Sequence, residues 1–248
     1  MQRLHEKIAL ITGGTRGIGF AVARAFLAEG ATVAFTGTSE ATVSRARAEL
    51  AVDSRVHGFV ADLADVDAPA RLIGEVIGRL GRVDVLFNNA AVVSRMSEWD
   101  LTPSEWDRVF AVNTRAAFFL ARDCARSMRE AGGGSIINLS SIAGQTGGIA
   151  GSPVYGASKA AVIGLTRSLA RRLAPHKIRV NCLAPADIET DATANWPQEL
   201  RDRLNAITPL NRFGMVDEVT GAAVYFASDE SSFVTGQTLA INGGAYMG

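Results

Sequence analysis

Lys7–Gly30, KIALITGGTRGIGFAVARAFLAEG, decides the fold. KIALITG is a short apolar run rich in β-branched residues and reads as a strand. FAVARAFLAEG carries apolar residues at helical spacing and stops at Gly30. Between them, TGGTRGIG places Gly13, Gly17 and Gly19 in the order Gly-x-x-x-Gly-x-Gly. Such a turn admits close backbone approach and aims free N–H groups and a helix dipole at phosphate. The spacing differs from Gly-x-Gly-x-x-Gly, so that dinucleotide fingerprint is not met.

The strand–helix unit repeats along the chain. ATVAFTG is a second strand, followed by a helix over Glu40 to Val52. RVHGFVADL is a third strand and precedes a helix from Ala68 to Leu80. VDVLFNNAA is a fourth, and a helix from about Ser104 to Met128 precedes GSIINLSS, a fifth. Tyr155 to Leu173 is helical and precedes IRVNCLAP, a sixth. A helix near Val216 to Ala227 precedes QTLAING, a seventh. Val/Ile/Leu-rich strands alternating with amphipathic helices predict one α/β domain over residues 1–248. Its sheet is doubly wound and parallel, with helices on both faces. Asp187–Arg212 interrupts the alternation with Trp196, Pro197 and Pro209, so about 187–213 reads as a mobile flap.

Composition excludes several classes. The 248 residues include 25 Lys+Arg and 25 Asp+Glu, leaving no basic excess for a nucleic-acid partner. No apolar run approaches a membrane span, and the N-terminus lacks a signal-peptide pattern, so the expected location is cytoplasmic. Cys124 and Cys182 lie among apolar neighbours and read as buried free thiols. His5, His57 and His176 form no metal-ligand spacing, and no metal is expected.

Candidate chemistry gathers at strand ends. Asp62 follows the third strand, Asn88 and Asn89 the fourth, and Ser140 and Ser141 the fifth. Parallel sheets bind ligands at that edge, although Asx residues there also cap turns. Tyr155 and Lys159 open the next helix four residues apart, placing a phenol and an ammonium on one face. The cation is expected to favour the phenolate, equipping the tyrosine to exchange a proton with a carbonyl oxygen. On many helices the same spacing is only a half-buried aromatic beside a snorkelling lysine stem.

TGGTRGIG, Asp62 in VADLAD, NNAA, Asn113 in VNT, NLSS, YGASK and PADIET together resemble the short-chain dehydrogenases/reductases, from Lys7 to Gly244. The resemblance implies a Rossmann-type fold and reversible hydride transfer between NAD(P) and a carbonyl/alcohol pair. It implies cofactor contacts from Gly13, Thr15, Arg16, Gly17, Ile18 and Gly19 at the pyrophosphate turn, and from Thr38 and Ser39 after the second strand. Further along they come from Asp62 and Leu63 near adenine, and from Asn89, Ala90 and Ala91 near the ribose. Pro185, Ile188 and Thr190 follow, with Tyr155 and Lys159 at the nicotinamide end. The implied catalytic set is Asn113, Ser141, Tyr155 and Lys159, with Asn113 holding a water that leads to Lys159. Ser141 lies fourteen residues before Tyr155, one more than the commonest family spacing, and Ser140 is the alternative donor. Ala91 and Ala186 stand where the family usually has glycine, which puts the pocket shape in doubt.

NADP(H) is the expected cofactor over NAD(H). The second strand ends in Gly37-Thr38-Ser39 without an acidic residue, and Arg16 resembles a 2′-phosphate contact. Apolar residues on more than one face of 107–128 and 160–174 point to a homo-oligomer, and the family suggests a tetramer. A second interface would use the last helix and INGGAYMG. The substrate pocket is expected from 94–96, 145–154 and 187–213, with Ile149, Pro153, Val154, Trp196 and Phe213 as apolar contacts. Arg95, Gln145, Asn195 and Arg212 could bind a polar substituent. Overall likeness to 3-oxoacyl-carrier-protein reductases makes a 3-oxoacyl thioester, on a carrier protein or CoA, the first substrate reading. Arg129, Arg171 and Arg172 are the only hint of a docking surface. A polyol or sugar dehydrogenase is the runner-up, and a non-catalytic dinucleotide-binding regulator is the alternative of another class.

Overall fold

The computed structural model describes residues 2–50, 54–149 and 151–248. The first half runs β1 (Ile8–Ile11), α1 (Gly17–Ala28), β2 (Thr32–Gly37), α2 (Glu40–Leu50), β3 (Val56–Val60), α3 (Ala68–Leu80) and β4 (Val85–Asn88). Then come α4 (Pro103–Phe110), a π-helical segment (Ala111–Ala116), α5 (Ala117–Glu130), β5 (Gly134–Leu139), α6 (Ala143–Thr146) and α7 (Pro153–Leu173). The chain ends with β6 (Ile178–Pro185), β7 (Ile188–Glu189), α8 (Gln198–Ala206), β8 (Gly214–Met215), α9 (Val216–Ala227) and β9 (Thr238–Ile241).

Seven strands pair in parallel in the order β3-β2-β1-β4-β5-β6-β9. The order reverses direction between β1 and β4, the switch point where such sheets open a crevice. This is a single Rossmann-type α/β domain, as the alternation predicts. Strand side chains alternate between two cores. Ile11, Phe35 and Phe87 pack with Val22 and Phe26 of α1 and with α9. Leu10, Ala34 and Leu86 pack with α3, α5 and Leu169 of α7. The inner strands are buried on both faces, which is why strands such as ATVAFTG show no polar alternation.

Local chemistry sets the helix ends. Thr102 Oγ1 accepts from Glu105 N at 3.2 Å, and Pro103 opens α4 without an N–H to satisfy. Gly81 ends α3 at φ +88°. The single helix expected over 104–128 is interrupted by the π-helical segment around Asn113, which periodicity does not reveal. The expected helix over Glu40–Val52 is seen to Leu50, and its last two residues lie outside the described residues. The flap region also holds α8 and β7, and β7 pairs with β8 just beyond it.

Buried polar side chains tie the sheet to α7. Asn88 Nδ2 donates to Asn138 Oδ1 at 2.9 Å, and Asn138 Nδ2 donates to Thr166 Oγ1 at 2.9 Å. Asn88, a candidate ligand residue in the sequence, is thus a structural link. Asn138→Ala removes two buried hydrogen bonds, leaving Asn88 Nδ2 with Ala117 O and Thr166 Oγ1 with Val162 O, and is expected to destabilise the fold by about 2 kcal/mol. Urea unfolding measures this, and a change below about 0.5 kcal/mol would refute it.

Candidate active site

The glycine-rich turn is held by its neighbours rather than by itself. Gly13 adopts φ +64°, and its N–H donates to Thr36 Oγ1 at 3.0 Å. Thr12 Oγ1 accepts from both Asn89 N and Ala90 N at 3.0 Å. Asn89 Nδ2 donates to Thr12 O and Gly13 O. The Asn89 amide therefore fastens the end of β4 to the turn. A Cβ on Gly19 would lie 2.4 Å from Gly13 O, so glycine is required there. Arg16 precedes α1 without a side-chain cap, leaving the first N–H groups of the helix open to a ligand.

A cleft of about 860 Å³ opens over this turn. Gly13, Thr15, Arg16, Gly17 and Ile18 line one side, and Asp62, Leu63, Asn89, Ala90 and Ala91 another. Thr38 and Thr190 line it as well. Ser39 is turned away to cap α2, where its Oγ meets Thr42 Oγ1 at 3.0 Å. Arg45 lines the cleft with Thr42, a contact missed in the sequence. It lies on the Thr42 side of α2 at i+3, a spacing that could have exposed it. Ile188 is buried in the core, and Pro185 is buried with its carbonyl accepting from Ile142 N at 2.8 Å. Ala91 and Ala186 are absent from the positive-φ residues, so neither methyl strains the backbone.

The second cluster converges at the start of α7. Ser141 lies close enough to the Tyr155 phenol to lower its pKa, and its Oγ accepts from Ala143 N at 3.1 Å. Ser140 Oγ instead donates to Lys159 O at 2.8 Å, which makes it a structural residue and leaves Ser141 facing the phenol. Lys159 is 2 % exposed; its Nζ donates to Leu139 O at 2.7 Å and lies 5.8 Å from the Tyr155 ring centroid. Burial lowers its pKa to about 8. Burial also raises the Tyr155 pKa, the Ser141 hydrogen bond lowers it, and the Asp187 charge raises it further. The expectation that the cation would dominate is thus corrected: desolvation outweighs it and the phenol stays protonated.

Asn113 occupies the π-helical segment. Its Oδ1 accepts from Val92 N at 2.8 Å, while Nδ2 donates to Val92 O and Ser158 Oγ at 3.0 Å. The side chain clamps the loop after β4 to α7. π-bulges of this kind recur at functional sites, where they redirect backbone groups.

The substrate side differs from expectation in places. Val154 is 0 % exposed and faces the interior, so it is no substrate contact. Phe213 is buried, stacked under Arg201 and against the edge of Trp196. Trp196 is therefore committed in part to the flap. Arg212 bonds Glu218 rather than standing free. Ile149 is exposed, and Ala150 beside it lies outside the described residues. Ser152 N donates to Ser94 O at 3.1 Å and joins the two loops that border the site. Arg129, Arg171 and Arg172 sit at helix ends that lead into strands, on the opposite sheet edge. Arg171 is roughly 24 Å along the α7 axis from Tyr155. Those arginines cannot dock a carrier beside Tyr155.

A family profile described as enoyl-(acyl carrier protein) reductase matches residues 13–246. The chain belongs to the short-chain dehydrogenase/reductase family. It is 40% identical over 248 residues to a 3alpha-hydroxysteroid dehydrogenase of Mediterraneibacter gnavus, covering 98% of each chain. It is 38% identical to the 3-oxoacyl-[acyl-carrier-protein] reductase of Thermotoga maritima, again with 98% of each covered. The crystal structure of a provisionally assigned short-chain alcohol dehydrogenase from Sinorhizobium meliloti superposes with a TM-score of 0.93 at 34% identity, covering 98% of both. The protein is accordingly an NAD(P)-dependent oxidoreductase of this family, acting on a small carbonyl or alcohol. No helix among the described residues is long and apolar enough to cross a membrane.

The open helix N-terminus, the Gly19 contact and the cleft all fit a dinucleotide. Gly19→Ala is expected to weaken NADPH binding at least about tenfold by pushing Gly13 O out of place. Fluorescence titration measures this, and unchanged affinity would refute the close-approach role. Lys159 is cationic below about pH 8 and neutral above it. Carbonyl reduction, which needs the cation beside a developing phenolate, should therefore lose kcat/KM as pH rises through about 8. A flat profile from pH 7 to 10 would contradict that.

Proposed function

We propose that the protein is an NADPH-dependent ketone reductase in which Ser141, Tyr155 and Lys159 do the chemistry. The convergence of these side chains at one sheet edge carries this reading. NADPH supplies hydride when bound. Gly13–Gly19 would hold its pyrophosphate, Asp62 and Leu63 its adenine end, and Thr190 its other side. Ser141 and Tyr155 donate hydrogen bonds to the substrate oxygen as charge develops there, and Tyr155 Oη then releases its proton to it. The Lys159 ammonium stabilises the phenolate. Because both Asn113 amide hydrogens are spent, a water leading toward Lys159 would donate to the second lone pair of Oδ1 or rest on the π-segment backbone. Tyr155→Phe is expected to lower kcat by about 10²–10⁴ with NADPH binding retained. Near-parental turnover would refute the mechanism.

The preference for NADPH rests on Arg16 and Arg45 in the cleft. Glu40, the nearest acid after β2, is outside that lining and accepts from Ser44 Oγ at 3.2 Å. Arg16→Ala and Arg45→Ala should each reduce the NADPH/NADH ratio of kcat/KM about tenfold. A parental preference for NADH would overturn the assignment.

A 3-oxoacyl thioester is the first substrate reading, supported by the Thermotoga relative. A bulky cyclic ketone or alcohol is the second. It is favoured by exposed Val93, Met96 and Ile149 on loops joined through Ser94 and Ser152, and by the hydroxysteroid dehydrogenase relative. Acetoacetyl thioesters and steroid ketones with NADPH, run beside polyols and sugars with oxidised cofactors, separate these readings. Activity confined to polyols and sugars would sink both. The flap at 187–213 closes over this substrate. A homotetramer is the assembly inferred, with the outer strand β9 exposing Leu239 near fully exposed Phe233.

A further inference from the structure

Thr190, Asp191 and Ala192 line the cleft from the flap side, ahead of α8. Thr190 stands across from the glycine-rich turn, since a Cβ on Gly17 would lie 3.6 Å from Thr190 Cγ2. Gly17 opens α1, whose start carries no side-chain cap. Residues 190–192 therefore form the outer wall of the slot in which a pyrophosphate would lie.

Local bonds give this wall its shape. Thr193 N and Ala194 N each donate to Thr190 O at 3.0 Å, and Thr193 Oγ1 accepts from Thr190 N at 3.0 Å. Bonds within so short a turn do not fix where the turn sits. Among the described residues, the one hydrogen bond that reaches 190–193 from beyond Trp196 comes from Arg201 of α8. Its Nη1 donates to Thr193 O at 3.2 Å, and its Nη2 bonds Glu189 Oε1. Glu189 directly precedes Thr190, and Thr193 directly follows Ala192. One guanidinium thus grips the wall at both ends. Its carbon also lies 4.4 Å from the centroid of the Phe213 ring, next to the β8 residues that pair with β7. Two edges and one face of the group are in use, an arrangement that the point charge of a lysine cannot reproduce.

We infer that Arg201 is a positioning residue for the nucleotide site, holding Thr190–Ala192 against the glycine-rich turn by bracketing them. Its contacts all lie within the flap and β8, so it acts through the wall and not on the reacting atoms. This rests on the dinucleotide reading of the cleft and is independent of which ketone is reduced. A wall in place for only a fraction of the time lowers the apparent affinity by that fraction. Thr190 faces Gly17 in the turn common to both cofactors, so the loss falls on NADPH and NADH alike.

Fluorescence titration of NADPH and NADH against Arg201→Ala and Arg201→Lys tests this. Arg201→Ala should weaken both nucleotides by the same factor, about tenfold, with the parental preference between them intact. The nucleotide KM should rise in step while kcat at saturation stays near parental. Arg201→Lys keeps the charge without the paired bonds or the stack, and should fall between parental and Arg201→Ala. Guanidinium chloride far below its denaturing range should restore part of the affinity of Arg201→Ala, and equal sodium chloride should not. A merely structural role would lower the melting temperature and leave the affinity of the folded protein unchanged. Parental affinity in folded Arg201→Ala, or a fall in kcat at unchanged affinity, overturns the inference. If Arg201→Ala does not fold, Arg201→Lys decides: weaker binding of both nucleotides supports the inference and parental affinity overturns it. A parental protein that binds neither nucleotide brings down the cleft reading, and this inference with it, whereas parental binding unaffected by Arg201→Ala brings down the inference alone.

Discussion

Parallel strands cannot be joined by hairpins, and this constraint shapes the whole molecule. Each crossover from β1 to β6 carries at least one helix back across the sheet, so every strand points its carboxyl end to the same edge. The turns before α1 and α7 and the loop after β6 therefore meet in one crevice, although the first is more than a hundred residues from the other two. The same rule sends the basic ends of α5 and α7 to the far edge. Chemistry and helix termini are sorted by topology before any side chain is chosen.

Within the crevice, burial sets the electrostatics. Lys159 loses solvent and holds its proton less tightly, while Tyr155 loses solvent and holds its proton more tightly. The two shifts move apart an ammonium and a phenol that are close in acidity in water, so the phenol keeps its proton. That suits a proton donor whose charge appears only during reaction.

Much of this was legible in the residues. The alternation of apolar runs and 3.6-residue periodicity predicted α3 and α9 to the residue, because each buries one continuous stripe. The glycine-rich turn announced itself by residue type, since only glycine tolerates the Gly13–Gly19 approach. The π-helical interruption at Asn113 was silent, since one extra residue per turn leaves the local composition unchanged. Val154 looked like a pocket residue from its position beside Tyr155, yet adjacent helix positions point about 100° apart and Val154 faces inward.

The sequence by itself determined the doubly wound sheet, the phosphate-facing turn and the Tyr155–Lys159 pairing. Each is written in short-range spacing, and a helix or turn brings such residues together without help from the rest of the chain. Only the tertiary structure decided that Ser141 rather than Ser140 faces the phenol, because Ser140 is bonded to the backbone of α7. It also brought Arg45 to the cleft and engaged both ends of the Asn113 amide with other elements. These contacts join residues from different crossovers. Their distances depend on strand register and helix packing, which no local pattern encodes.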